Sequence, residues 1–149
     1  MPGRSEKMDV ERGATLVEFA IAAPIFFLAV FGIIEFSRLL WTHNALADAA
    51  RQGARYAAYS AENSTNVKNM VVYGVTNPSS GANPKIYGLT TNKVEVTYSD
   101  FGVKRGVVEV KITGYQFTFA VPLIGANLVL GDYSSALPGE SAGFAPPVI

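Results

Sequence analysis

The sequence predicts an α+β fold in which one long N-terminal helix carries a small antiparallel β-sheet domain. Three observations predict it. A run of 16 residues without a charge, Phe19 to Ile34, opens the chain after a polar start. Small and apolar residues then recur every three or four positions as far as Ala58, the period of a helix face. Beyond residue 90 the pattern changes to strict alternation, the period of a half-buried strand.

Residues 1–13 are polar, with Arg4, Lys7 and Arg12 set among Glu6, Asp9 and Glu11. The uncharged run that follows is about 24 Å long as a helix, short of a hydrocarbon core of about 30 Å. Adding Ala14 to Val17 gives a stretch with the single charge Glu18 and a length that spans. A buried core helix suits a shorter run. A cleaved secretory signal would need its small-residue site directly after the run. Ala45-Leu46-Ala47 and Ala47-Asp48-Ala49 have that form, but they lie well beyond it, past Glu35 and Arg38. A retained transmembrane helix over 14–35 is the favoured reading. Its orientation is not fixed by charge: Arg4, Lys7 and Arg12 on one side balance Arg38, Arg51 and Arg55 on the other. Pro24 removes one backbone donor inside the span and should kink it.

Residues 36–58 read as the extramembrane continuation of the same helix. Phe36, Leu39, Leu40, Leu46, Ala47, Ala50 and Ala54 form one face, and Arg38, Thr42, Asn44, Asp48, Arg51 and Arg55 the other. Glu35 and Arg38 make an i,i+3 pair, worth a few tenths of a kcal/mol on a wet surface (about 0.2–0.5). Ala49, Gly53 and Ala57 fall on one stripe, with Ala50, Ala54 and Ala58 beside it. Small residues at that spacing admit a close neighbour, either a partner or the chain's own sheet. Alanine is also simply the best helix former, but Gly53 argues against that reading, because mid-helix glycine costs about 1 kcal/mol relative to alanine.

Residues 59–149 read as a small mixed domain. Asn63, Ser64 and Thr65 offer N-caps for a short helix through Val67, Met70 and Val71. Asn77 to Gly88, with two prolines and two glycines, reads as a loop. Strands are expected near 92–99, 106–113 and 115–120, from the alternations of Val94, Val96 and Tyr98, of Val108, Val110 and Ile112, and of Tyr115, Phe117 and Phe119. Asp100 to Gly106 suits a hairpin connection. The parity changes at Gly114, where a bulge or corner is expected. Residues 121–149, rich in proline, read as mostly irregular.

The composition narrows the chemistry. The 149 residues carry 12 basic and 12 acidic side chains, so a nucleic-acid partner is not expected. Charged residues are 16% and the mean hydropathy is +0.22, unusual for a soluble monomer. The lack of cysteine excludes a disulfide framework, a thiolate metal site and a cysteine nucleophile, and the single histidine, His43, excludes any site that needs two or more histidines. His43 and Trp41 suit the membrane–water interface, where an indole sits well. Asp100 and Asp132 suit turns, and Asn63-Ser64-Thr65 matches a glycosylation triplet that is common by chance. Phosphate loops, HExxH and GxSxG are absent from the sequence. Neither a catalytic residue, a cofactor, a metal nor a small-molecule substrate is expected.

Glu18 resists the bland reading. A carboxylate within a spanning helix costs about 2.5–3.5 kcal/mol near mid-membrane. Near the helix start it is either an interfacial side chain or the neutraliser of a specific cation. A cut between Gly13 and Ala14 would create such a cation, the new amino group of Ala14, with Glu18 as fifth residue.

Gly13, Ala14, Glu18 and Phe19 together resemble a prepilin peptidase processing site. The longer stretch from Arg12 to Ala58 is similar to the TadE-like family of tight-adherence pilus pseudopilins. Arg12-Gly13, Val17-Glu18-Phe19, Pro24, Gly32-x-x-Glu35-Phe36, Arg38 and the alanine-rich Asn44 to Ala58 carry the likeness. Pro122-Leu123-Ile124-Gly125 resembles the family's C-terminal region. The resemblance implies a pilin-like fold and a single-pass protein of a bacterial inner membrane, its N-terminus cytoplasmic and its C-terminal domain periplasmic. It implies a minor pseudopilin in type IVc pilus assembly, with the lipid bilayer, other pilins or pseudopilins, the assembly platform and a prepilin peptidase as partners. A major filament subunit built on the long helix, or a membrane-anchored periplasmic binding protein or enzyme, are the alternatives. The sheet domain argues against the first, and the lack of an acid pair or other catalytic set against the second.

Overall fold

The structure, a computed structural model, describes residues 4–99, 106–120 and 127–138, with side chains from Gly13 onward. Helix α1 spans Arg4–Tyr59 and helix α2 Ser64–Tyr73; a short 3-10 turn, Thr91–Lys93, leads into the strands. These are β1 (Val94–Ser99), β2 (Val107–Ile112), β3 (Gln116–Thr118), β4 (Asn127–Val129) and β5 (Tyr133–Pro138). The chain is α+β: a long helix packed on a small antiparallel sheet.

Helix α1 starts ten residues before Ala14, so the polar leader is helical from Arg4 on, and the helix runs unbroken through Pro24. Its apolar first half and amphipathic second half are one element. Helix α2 is capped at both ends. Asn63 is extended and its side-chain oxygen accepts from the Asn66 amide at 3.1 Å. Gly74 closes it in the left-handed conformation, φ +76°, and donates to the Met70 carbonyl. Asn63 therefore has a local task that accounts for its place in the sequence.

The main sheet has the order β1-β2-β5, antiparallel throughout. Val94 faces Ile112 and Val96 faces Val110 in one ladder; Val108 faces Leu137 and Ile112 faces Tyr133 in the other. Alternation puts Val94, Val108, Val110, Ile112 and Tyr133 into the core. There they meet Leu46, Ala50, Ala54 and Ala57 of α1 and Val67, Val71 and Val72 of α2. Ile86 and Leu89 pin the long loop after α2 to the same core, and the Lys85 amide donates to the Val72 carbonyl at 2.8 Å.

Two expectations are corrected. The third alternating segment does not extend the main sheet. At Gly114 the backbone adopts φ +62°, favoured by glycine, and the chain turns away. β3 then pairs with β4 in a separate two-stranded sheet, Phe117 opposite Leu128. The segment read as irregular also holds β4 and β5, and β5 completes the main sheet. Its sequence, Tyr-Ser-Ser-Ala-Leu-Pro, gives only Tyr133 a buried side chain, so it lacks the apolar alternation by which strands are read. Pro138 sits at its last position, where a missing donor costs least. The hairpin expected at Asp100 to Gly106, and the Pro122-Leu123-Ile124-Gly125 likeness, fall largely or wholly outside the described residues.

Candidate functional site

No catalytic constellation was expected. The candidate surfaces are those of α1, and they change character at Glu35. On its N-terminal side, Leu16, Phe19, Ile25, Phe26, Phe31 and Ile33 are exposed. Along this stretch Phe26 meets Phe27 edge to face, and Phe27 stacks on Phe31. α1 is long and apolar enough to cross a membrane, and none of its most apolar window is buried against the rest of the chain. So large an exposed apolar surface marks a membrane or a protein partner.

Gly13, Ala14, Glu18 and Phe19, the residues of the expected processing site, all lie on this exposed part of α1. A Cβ at Gly13 would meet nothing within 4 Å. Glycine at a helical position without packing contacts is a weak point in hydrogen-bonded backbone.

Glu35 is the first buried residue of α1 from Gly13 onward, only 3% exposed. The expectation of a wet-surface pair with Arg38 is corrected. One guanidinium nitrogen of Arg38 donates to both carboxylate oxygens at 2.7 Å. The backbone amide of Ala120 donates to Oε1 of Glu35 at 3.2 Å. Arg38 itself lies over the Phe117 ring, 5.2 Å from its centroid. A buried carboxylate requires such partners. Here they fasten the β3–β4 hairpin to α1 at the end of the apolar run. The sequence signalled the Glu35–Arg38 spacing; it carried no sign that a backbone amide 85 residues away would share the carboxylate.

Two turns further, Nδ1 of His43 lies 2.8 Å from the Tyr133 hydroxyl, with the rings edge to face at 5.2 Å. His43 thus has a neighbour in β5 that the sequence did not reveal. Burial raises the Tyr133 phenol above its ordinary value. Tyr115 is raised as well, by burial first and against the opposing charge of Arg38; its hydroxyl donates to the Tyr87 carbonyl at 2.7 Å. Asp132 accepts from Lys111 at 2.8 Å, and that hydrogen bond and charge raise the lysine.

The small-residue stripe faces inward. Ala49, Ala50, Ala54, Ala57 and Ala58 are buried, and Gly53 beside them is too. A Cβ on Gly53 would overlap Cγ2 of Val71 and stand 3.3 Å from Cγ1 of Val110. The close neighbours are this chain's own α2 and β2. Arg51, on the opposite face, is exposed and pairs with Asp48 at 2.8 Å. Among the described residues no group of three or more His, Asp or Glu is placed to hold a metal ion.

A protein-family model described as TadE-like protein matches residues 13–55, less than a third of the chain. It begins at Gly13 and ends within the alanine-rich half of α1, and it bears out the resemblance drawn from the sequence. No curated protein and no solved structure matches the chain.

Proposed function

We propose that this chain is a minor pseudopilin of a tight-adherence, type IVc pilus assembly machine, anchored in a bacterial inner membrane by residues 14–35 of α1. The observation that carries the reading is the TadE-like match, which falls on the same residues as Gly13, Glu18 and the exposed apolar half of α1. A Tad pilus-associated component with one apolar N-terminal helix is what that match supports directly; the minor-pseudopilin role is the finer proposal. The role is structural. The anchor holds the chain in the bilayer, and the sheet domain, rigidly joined to the same helix, stands outside it. A prepilin peptidase cutting after Gly13 would leave Ala14 as N-terminus and bring its amine within four residues of the Glu18 carboxylate.

The test is genetic. In the bacterium that carries it, deleting this gene should abolish or strongly reduce tight-adherence pili, and the full chain supplied in trans should restore them. The chain should fractionate with the inner membrane. Unchanged piliation after clean deletion would overturn the assignment, and a chain found only in the soluble fraction would overturn the anchor.

A further inference from the structure

The β3–β4 hairpin leaves the main sheet and lies along α1 where the apolar run ends. Phe117 sits beneath Arg38, and Ala120 bonds Glu35. As the helix numbers fall from 38 to 35, the strand numbers rise from 117 to 120. β3 therefore runs antiparallel to α1, with Ala120 nearer than Phe117 to the apolar half of the helix. If the hydrocarbon boundary lies at Glu35, Phe117 stands about 4.5 Å beyond it, in the headgroup layer. Opposite Phe117 and Gln116 in the ladder are Leu128 and Val129, which are 41% and 61% exposed. The chain carries no charge from Ile112 to Gly131. Water-facing edge strands are ordinarily guarded by charges, and this hairpin has none. Trp41, 64% exposed one turn above Arg38, marks the same layer on the helix.

We propose that the β3–β4 hairpin is a second membrane contact, with Leu128 and Val129 resting in the lipid headgroup layer beside the point where α1 leaves the bilayer. This rests on the reading of residues 14–35 as the anchor. The occupant is lipid because of height: the Glu35–Ala120 bond fixes the hairpin at the level where the uncharged helix ends. With two contacts, the helix and the hairpin, the sheet domain is held at one tilt and cannot swivel freely about a single stalk.

The chain contains no cysteine, so single-cysteine variants label at one place. Leu128→Cys, Val129→Cys, Ile25→Cys and Ala61→Cys are made in the full chain, labelled with an environment-sensitive fluorophore and reconstituted in phosphatidylcholine vesicles. Ile25 reports the span, and Ala61, at the far end of α1, reports water. The expected result is that labels at 128 and 129 are blue-shifted, quenched by lipid bearing a shallow nitroxide, and severalfold less accessible to iodide than the label at 61. Labels at 128 and 129 as open to iodide as 61, with 25 quenched from the lipid, would overturn the hairpin contact and leave the anchor standing. Labels shielded from both quenchers would mean a protein covers the hairpin, and would also overturn the proposal. A label at 25 that lipid nitroxide does not reach would overturn the anchor itself.

Discussion

The Glu35 carboxylate accepts a hydrogen bond from the Ala120 amide across 85 residues of sequence, and Arg38 holds the same carboxylate with two contacts of 2.7 Å. The helix is thus tied to the sheet domain by a polar joint placed where its apolar half ends, two turns before the His43–Tyr133 contact.

Removing that joint should loosen the hairpin first. Glu35→Ala strands a backbone donor and one face of Arg38, and an unsatisfied buried group costs about 1–3 kcal/mol. The lower end is expected, because the Arg38 side chain is nearly half exposed and finds water. Glu35→Gln keeps an acceptor for the Ala120 amide and should lose less. Hydrogen exchange at Ala120, compared among wild type and the two variants in detergent, checks the order.

Gly53→Leu should destabilise the sheet domain itself, since Val71 and Val110 occupy the space a side chain would need. Overpacking of this kind costs about 1–3 kcal/mol. Arg51→Leu, on the exposed face, should be far milder. Denaturant midpoints of the two variants, in the full chain in detergent, distinguish them; equal midpoints would contradict the inward-facing stripe.

Much of this packing was legible beforehand and some of it was not. The helix, its change of character and the alternation of β1 and β2 follow from periodicities that burial imposes on sequence. The Ala49–Ala58 stripe was legible as a close-packing surface, but the face that fills it was not, because small residues name no neighbour. β5 is not legible because Tyr133-Ser134-Ser135-Ala136 buries one side chain and shows no apolar alternation, although the backbone ladder with β2 holds it in the sheet. β3 and the corner at Gly114 are legible as a strand and a change of parity, but the sheet that β3 joins is not, since the alternation continues after Gly114 whichever way the backbone turns. Glu35 reads as a surface residue because its second partner is a backbone amide, which has no residue identity to read.

Alkaline pH should weaken the domain. Burial raises the Tyr115 and Tyr133 phenols above the unfolded value of about 10. Below that value both states are protonated and the domain keeps its full stability. Above it the unfolded chain releases protons that the folded chain retains, so stability falls as pH rises through the folded values. Lys111 is raised in the same direction, and its stabilising pair with Asp132 is lost over the same range. Phenolate absorbance should show late-titrating tyrosines in the folded protein, one fewer in Tyr133→Phe, and that variant should lose less stability on passing above pH of about 10.

Processing offers the sharpest chemical check of the N-terminal reading. With a matching peptidase present, the mature chain should begin at Ala14, and Gly13→Leu should keep the leader. Intact mass separates the two forms directly. Glu18→Gln removes a charge that is costly to insert, so membrane content should hold or rise while pilus assembly falls. Unchanged piliation in that variant would leave Glu18 as merely interfacial.

The order of strands in the main sheet sets a clock on maturation. β2 lies in the middle, and its second neighbour, β5, is made last among the described strands. Helix α1 packs on both of them. Its stripe is complete at Ala58, yet the ribosome must add all the residues up to Pro138 before the last strand can close over it. At typical synthesis rates that interval is about 4–16 s. In its last part, once Ile112 has been added, one edge of β2 lacks its partner, a template for pairing with any neighbouring chain. A ribosome stalled before Tyr133 would therefore leave not a shortened domain but an adhesive one, open along β2.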